Sequence, residues 1–139
     1  MDIAISNALS GLVAARQRIA VAASNIANAG SDGALPGQSA EPNAPQAYVP
    51  LRVDQQSLEA GGTLATTRSV DPSFVTAYDP NAPYANAAGE VAAPNVDLAT
   101  EAIDTLAAAR AYEANLRVVE TATEIDREAV DLGRHDLTA

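Results

Sequence analysis

The chain has 139 residues, no cysteine and a formal charge of −10, and its eight basic residues are all arginine. That length suits one modest domain. An acidic chain with no basic, aromatic-interleaved stretch repels nucleic acid and anionic membrane surfaces, and without cysteine there is no disulfide or thiol chemistry. Much of the 47% apolar share is alanine, with one Met, one Phe and no Trp. Alanine buries little area, so a self-sufficient globular core would be thin. Helices approaching closely along small side chains, partly against other copies, are the more natural use of such residues. The first residues, with Asp2 and no basic or long apolar run, do not read as a secretory signal, and no stretch reaches the roughly 18 apolar residues of a membrane span.

Residues 3–28 are expected to form one amphipathic helix. Ile5, Leu12, Ile19 and Ile26 repeat every seven residues, and Ala8, Ala15 and Ala22 follow the first three by three. This is an a/d stripe with large side chains at one position and small ones at the other. Gly11 interrupts it at a cost of about 1 kcal/mol against Ala, which a bend or a close neighbouring backbone would explain. Asp2 is placed as the N-cap and Gly30 as the residue just past the C-terminus.

Residues 31–45, rich in Gly, Pro, Ser and Asn, read as loop. Residues 46–93 read as a small β region that leans on the helices. Strand composition appears at 47–53 and 63–70 around the turn-prone Glu59-Ala60-Gly61-Gly62, and again at 73–78. The segment 79–95, spotted with proline, reads as a loop or irregular hairpin rather than a central strand.

Residues 96–132 form the second long helix, capped by Asn95 or Asp97. Leu98, Ala102, Ala109, Tyr112, Leu116 and Val119 mark one apolar stripe. Ala111, Ala114, Val118, Ala122, Ile125, Ala129 and Leu132 mark another. A helix with two seams packs between two neighbours. The fold class is therefore mainly α with a small β insert. One structural unit is divided as an N-terminal axial helix (1–30), a loop (31–45), a β-rich insert (46–93) and a C-terminal axial helix (94–139). The terminal helices pair antiparallel, in the manner of a coiled coil.

Nothing converges on catalysis. His135 is the only histidine and stands near the end of the chain, so the serines lack a partner. Glu113, Glu120, Glu124, Asp126, Glu128 and Asp131 read as a solvated helix side, with Arg110, Arg117 and Arg127 three or four residues from acids, rather than as a metal or acid/base site. No catalytic, cofactor-binding or metal-ligating residue is assigned. Two roles are open to Asn25, Asn28 and Asn115: satisfying helix-end carbonyls, or fixing the register between helices of neighbouring subunits.

The stretch Ser10-Gly11-Leu12 through Asn25-Ile26-Ala27-Asn28-Ala29 resembles the N-terminal motif of flagellar rod and hook axial proteins. The block Tyr78, Pro80, Gly89, Val91, Pro94, Asn95, Val96, followed on the helix by Arg110, Tyr112, Ala114 and Asn115, resembles the FlgC type of proximal rod protein. Three features depart from that pattern: residues 34–53 are looser than the Gly-Tyr-Arg-type segment that often follows the first helix in the family, Ala102-Ile103-Asp104-Thr105-Leu106 replaces methionines common in the family, and acidic residues 120–131 stand where Lys is usual.

The resemblance implies a non-enzymatic structural subunit without cofactors. It would build a helical, torque-transmitting tube from many copies and sit in the periplasmic part of the basal body. Export would run through the flagellar type III apparatus without a cleaved signal. Its partners would be other copies, other rod proteins, the base on the MS-ring and export-gate side, and the distal rod, with neither nucleic acid nor membrane insertion. The expected subunit-interface residues are Ile5, Leu12, Ile19, Asn25, Ile26, Asn28, Arg110, Tyr112, Asn115, Leu116, Val119 and Ile125. Two other classes of function compete: an acidic helical adaptor or chaperone-like module of the export system, and a cell-wall hydrolase, which lacks a catalytic constellation.

Overall fold

A computed structural model describes residues 2–38 and 43–136, and side chains as far as residue 134. The element order is α1 (Asp2–Ala27), β1 (Leu51–Ser57), β2 (Thr63–Ser69), β3 (Phe74–Tyr78), β4 (Glu90–Pro94) and α2 (Leu98–Asp136). The chain is mainly helical with a β insert, as the periodicity predicts. At 1.5 Å per residue, α1 spans about 39 Å and α2 about 58 Å. Among the described residues, no helix is long and apolar enough to cross a membrane.

The helices run antiparallel. Asn25 bonds Glu101, Arg18 meets Asp104, Gly11 abuts Asn115, and Ala4 shares a groove with Ala122. Positions 25, 11 and 4 of α1 thus meet 101, 115 and 122 of α2, separated by multiples of seven as in a coiled-coil seam, and Arg18 reaches one turn back to Asp104. The seam itself is rich in small residues: Ala8, Ala15 and Ala22 on α1 and Ala108 and Ala122 on α2 are all buried. The large members of the α1 stripe lie beside it. Ile5, Leu12 and Ile19 are half-buried and Ile26 is exposed. On α2, likewise, α1 packs along Glu101, Ala108, Asn115 and Ala122, of which only Ala122 belongs to either apolar stripe.

Asp97 caps α2. Its carboxylate accepts from the amides of Ala99 and Thr100 and from the Thr100 hydroxyl. Those bonds, the Thr100 side chain's first, hold the carboxyl below its ordinary value of 3.8. Asn95 instead donates to the Pro72 carbonyl. Gly30 does not adopt the left-handed conformation of a helix-ending glycine; the positive φ angles belong to Gly37, Gly61, Gly62 and Gly89. Asn28 ends α1, its backbone amide and its side-chain amide both donating to the Ser24 carbonyl.

The β region is two antiparallel pairs, not one sheet. β1–β2 is a hairpin registered Leu51↔Ser69 through Ser57↔Thr63, and β3–β4 is registered Phe74↔Pro94 through Tyr78↔Glu90. The strand at 47–53 thus begins later, at Leu51. Of the two readings of 79–95, the irregular hairpin is the one that forms. Pro80 and Pro83 fall in its loop and Pro94 closes the strand, so residues 90–93 are free to pair. The β1–β2 hairpin leans on α1, as expected. Its turn glycines, both at φ +87°, press against Asn7 and Ser10, and the Thr63 amide donates to Ser10 Oγ. The backbone of the β3–β4 pair stands apart from both helices. It joins the rest through Gly33, which exchanges both backbone bonds with Ala92.

Candidate docking faces

Three features position the exposed surfaces of the helix pair. The first is the close approach at Gly11. A Cβ built there would lie 2.5 Å from Asn115 Oδ1 and 2.7 Å from its Cγ and Nδ2. Between the two explanations the sequence leaves open, a close neighbour is the one found, and it is a side-chain amide. Asn115 also donates to the Ala111 carbonyl one turn back. The Ser-Gly-Leu and Tyr-x-Ala-Asn motifs, about a hundred residues apart, therefore meet at one point of the seam.

The second is a hub at Asn25, which has no exposed surface. Its Nδ2 donates to the Leu51 carbonyl at 2.8 Å and to Glu101 Oε1 at 2.8 Å. Its Oδ1 accepts from the Leu51 amide at 3.1 Å and from the Tyr48 hydroxyl at 3.1 Å. One side chain thus ties α1 to β1, to the segment before it and to α2, with every hydrogen-bonding group satisfied. No surface of Asn25 is left for a neighbouring subunit, so its influence on any docking face runs through the placement of these elements.

The third is the side on which the hairpin sits. At about 100° per residue, Asn7, Ser10, Ala14 and Val21 turn toward the hairpin. Ile5, Leu12, Ile19 and Ile26 turn the other way. On α2, running antiparallel, Leu98, Tyr112, Leu116 and Val119 project to that same side. Seven of the twelve expected interface residues (Ile5, Leu12, Ile19, Ile26, Tyr112, Leu116 and Val119) are therefore brought together on one apolar face of the helix pair that the hairpin leaves uncovered. Tyr112, Leu116 and Ile26 are each about two-fifths exposed.

The other five do not join it. Asn25 is enclosed, Asn28 closes the helix end and Asn115 lies in the seam against Gly11. Arg110 is exposed on the outer side of α2. Ile125 lies across the seam, lining a groove with Ala4, Val118 and Ala122. Arg110, Arg117 and Arg127 are exposed, and no helical ion pair of the expected kind holds them among the described residues. Arg18 pairs with Asp104 at 3.2 Å, and Asp54 pairs with Arg52 and Arg68.

Exposed apolar residues that the heptad reading passes over are Ile3, Leu9 and Val13 on α1 and Ile103, Leu106 and Val130 on α2. The i, i+4 spacing of Leu9 and Val13 and the i, i+3 spacing of Ile103 and Leu106 were the available signals. Among the described residues no cluster of His, Cys, Asp and Glu is arranged to hold a metal, and the side chain of His135 lies outside them.

A chain that pairs long terminal helices through a small-residue seam, with apolar faces turned outward and a small β insert, has the build of an axial protein of the flagellar rod. The comparisons agree. The family described as flagella basal body rod protein matches residues 5–34, and that described as flagellar basal body rod FlgEFG protein C-terminal matches residues 87–132. The flagellar basal-body rod protein FlgC of Escherichia coli is 33% identical over 126 residues, covering 90% of this chain and 92% of that protein. FlgC of Salmonella typhimurium is 33% identical over 127 residues, with the same coverage. FlgC of Bacillus subtilis is 28% identical over 146 residues, covering 90% and 93%. The chain belongs to the FlgC family of flagellar basal-body rod proteins, a structural family rather than an enzymatic one.

Proposed function

We propose that this rod subunit assembles by laying the apolar face opposite its hairpin, with Leu12 on α1 and Leu116 on α2 near its centre, against further copies and other rod proteins. Packed this way, the terminal helices form a helical tube that transmits torque. The exposed stripe carries the reading: large apolar side chains line both helices on a side that no other part of the described residues covers. A monomer with no partner gains nothing from such a stripe. Contacts between different faces of successive copies do not close, and so build an extended assembly. In this reading the chain occupies the proximal, periplasmic part of the rod, between the base on the export-gate side and the distal rod. It arrives through the flagellar type III apparatus with its N-terminal helix retained.

Deleting the gene and viewing isolated basal bodies by electron microscopy tests the placement. Bases without rod, hook and filament, restored by the gene in trans, are expected. Complete flagella would move the adaptor reading to the front. Leu12→Asp and Leu116→Asp test the face, since each places a charge where a neighbour must desolvate it. Both variants are expected to be synthesised, folded and non-motile. Normal motility in both would remove this face from the assembly.

A further inference from the structure

The two strands of the β3–β4 pair differ at their outer edges. The Asp79 amide donates to the Gly89 carbonyl and the Asn95 amide to the Ser73 carbonyl. Backbone bonds alternate along an antiparallel pair, so Val75 and Ala77 bond across to β4 while Phe74, Thr76 and Tyr78 turn their amides and carbonyls outward. On β4 the outward residues are Glu90, Ala92 and Pro94, and each is occupied. Asn86 Oδ1 accepts from the Glu90 amide and the Asn86 amide donates to the Glu90 carbonyl. Gly33 exchanges both bonds with Ala92, and the Pro94 carbonyl accepts from the Val96 amide. Among the described residues, nothing bonds the outward groups of β3. That edge is uncharged, free of proline and carries Val75 and Tyr78 at 46% and 75% exposure, the kind of edge that proteins otherwise blunt or cover. We propose that it takes β2 of a second copy of this chain as an added parallel strand. The proposal rests on the subunit reading above and names a contact made by the β insert.

Three observations select this occupant. The first is that β2 is open along its own outer edge. The Leu58 amide donates to the Gly62 carbonyl and the Val70 amide to the Pro50 carbonyl, so Thr63, Ala65, Thr67 and Ser69 turn outward from the hairpin. Ser10 Oγ takes the Thr63 amide, and among the described residues nothing bonds the outward groups of Ala65, Thr67 and Ser69. The two pairs are separate sheets, so this edge and that of β3 do not meet within one chain. Strand addition satisfies both at once.

The second is charge. Residues 71–97 carry Asp71, Asp79, Glu90 and Asp97 and no basic residue. β2 carries Arg68 and no acid, whereas β1 carries Asp54 beside Arg52. A second β3 would bring two acidic flanks together. Opposite charge across a contact favours the partner and like charge suppresses it.

The third is the match of side chains. Parallel addition that uses all the outward groups sets Leu64 opposite Phe74, Thr66 opposite Thr76 and Arg68 opposite Tyr78. Leu64, 47% exposed in its own chain, then lies beside a groove of about 240 Å³ lined by Tyr48, Val49, Phe74 and Ala92. Arg68 meets the exposed Tyr78 ring next to Asp79, where both a cation–π contact and an ion pair are within reach. The antiparallel alignment that matches the same outward groups instead sets Leu64 against Asp79 and Arg68 against Val75. Edge and occupant lie on different strands, so each copy leaves one edge free for the next, and the contact is heterologous and open-ended.

The absence of native cysteine makes a cross-linking test specific. Thr76→Cys and Thr66→Cys, both at exposed positions, are made in separate full-length chains, one bearing a size tag. They are checked for unchanged helicity and unfolding midpoint, mixed and oxidised. The expected product is the disulfide between the two different variants, in excess over either homodimer. It should also exceed the product of Thr76→Cys with Gln55→Cys, an exposed position on β1. Hydrogen exchange on the unmodified chain gives a second readout: the Thr76 and Tyr78 amides should exchange about tenfold more slowly in concentrated than in dilute protein, since a bonded N–H exchanges only when its contact opens. Thr76→Pro removes an N–H that no bond among the described residues uses. That variant should keep its unfolding midpoint while Tyr78 loses the protection. An excess of the Thr76 homodimer would mean that two β3 edges pair with each other, and would overturn the proposal. So would cross-linking no greater than the Gln55 control, or exchange at Thr76 that does not change with concentration. If the cross-link fails while Leu12→Asp and Leu116→Asp still abolish motility, the subunit reading stands and only this contact is wrong.

Discussion

Gly11→Ala sets two effects of known sign against each other. In an isolated helix the change stabilises by about 1 kcal/mol, because glycine pays the larger backbone entropy. In this fold the new methyl group would sit 2.5 Å from Asn115 Oδ1. Asn115 must then rotate away, losing its bond to the Ala111 carbonyl, or the helices must part. Inserting a carbon into a packed seam costs about 1–3 kcal/mol. Net destabilisation of up to about 2 kcal/mol follows from these two ranges. In an Asn115→Ala background the amide that Gly11 accommodates is gone, and the same substitution should stabilise by about 1 kcal/mol. The double-mutant cycle read by urea unfolding, with helical ellipticity as the signal, therefore gives a coupling of about 1–3 kcal/mol. Stabilisation by the same amount in both backgrounds would refute the close approach and, with it, the register that places Gly11 against Asn115.

Three further perturbations probe the other fixed points. Asn25→Asp keeps the shape of the hub but, when ionised, cannot donate to Leu51 or Glu101 and adds a like charge beside Glu101. Burial and that neighbour raise the new carboxyl's folded-state pKa, so the variant should be strongly destabilised at neutral pH and recover as pH falls through that raised value. Loss that is constant with pH, measured by denaturant unfolding at several pH values, would show that the charge is not confined there. Asp97→Ala should remove the cap of α2 and lower its helicity. Because the folded Asp97 carboxyl lies below its ordinary value, its contribution is present above the unfolded pKa and lost as pH falls through the folded one, so wild type and variant should converge in strong acid. Gly33→Ala would place a methyl 2.1 Å from the Ala47 amide nitrogen and 2.3 Å from the Gln46 carbonyl carbon. Backbone cannot swing aside as a side chain can, so a loss of about 3 kcal/mol or more is expected in thermal or urea unfolding. A loss below 1 kcal/mol would mean that this strap moves freely.

The long helices were legible because their apolar spacing persists over many turns, and Asp97 because a cap is a local chemical device. Which residues the helices bury was not legible in full. A heptad stripe with isoleucine and leucine at one position and alanine at the other gives no sign of which face closes first. Here the alanines close within the chain, because Gly11 and its alanine neighbours let the axes come near. The bulky residues are left beside the seam. Asn25 was visible as an amide near a helix end, but its partners Tyr48, Leu51 and Glu101 lie 23, 26 and 76 residues away, and no local pattern encodes that. β4 was obscured by counting the prolines of 79–95 together, when their positions matter: two lie in the turn and one at the strand's last residue. The face shared by Leu12 and Leu116 follows from combining two stripes only after the antiparallel register is known.

The division between small and large residues bears on how such a subunit works. The buried apolar set within the chain is mostly alanine, joined by Leu35 and Val91 near the β region. Each alanine contributes one methyl group to burial, on the order of 1 kcal/mol. Leucine, isoleucine and valine carry two to three times that, and on the helices they are concentrated on faces the chain does not cover. Most of the apolar area that the helices can remove from water is therefore removed only when another molecule arrives, and binding of that kind stabilises the fold by mass action. The same arrangement explains the hub. With so thin a seam, hydrophobic packing alone discriminates poorly between registers one heptad apart. Asn25, whose bonds to Leu51 and Glu101 are met in one register and broken in the next, supplies the discrimination instead. A fixed register sets where Leu12 stands relative to Leu116. The buried amide thus shapes the proposed docking face of the helix pair without touching it.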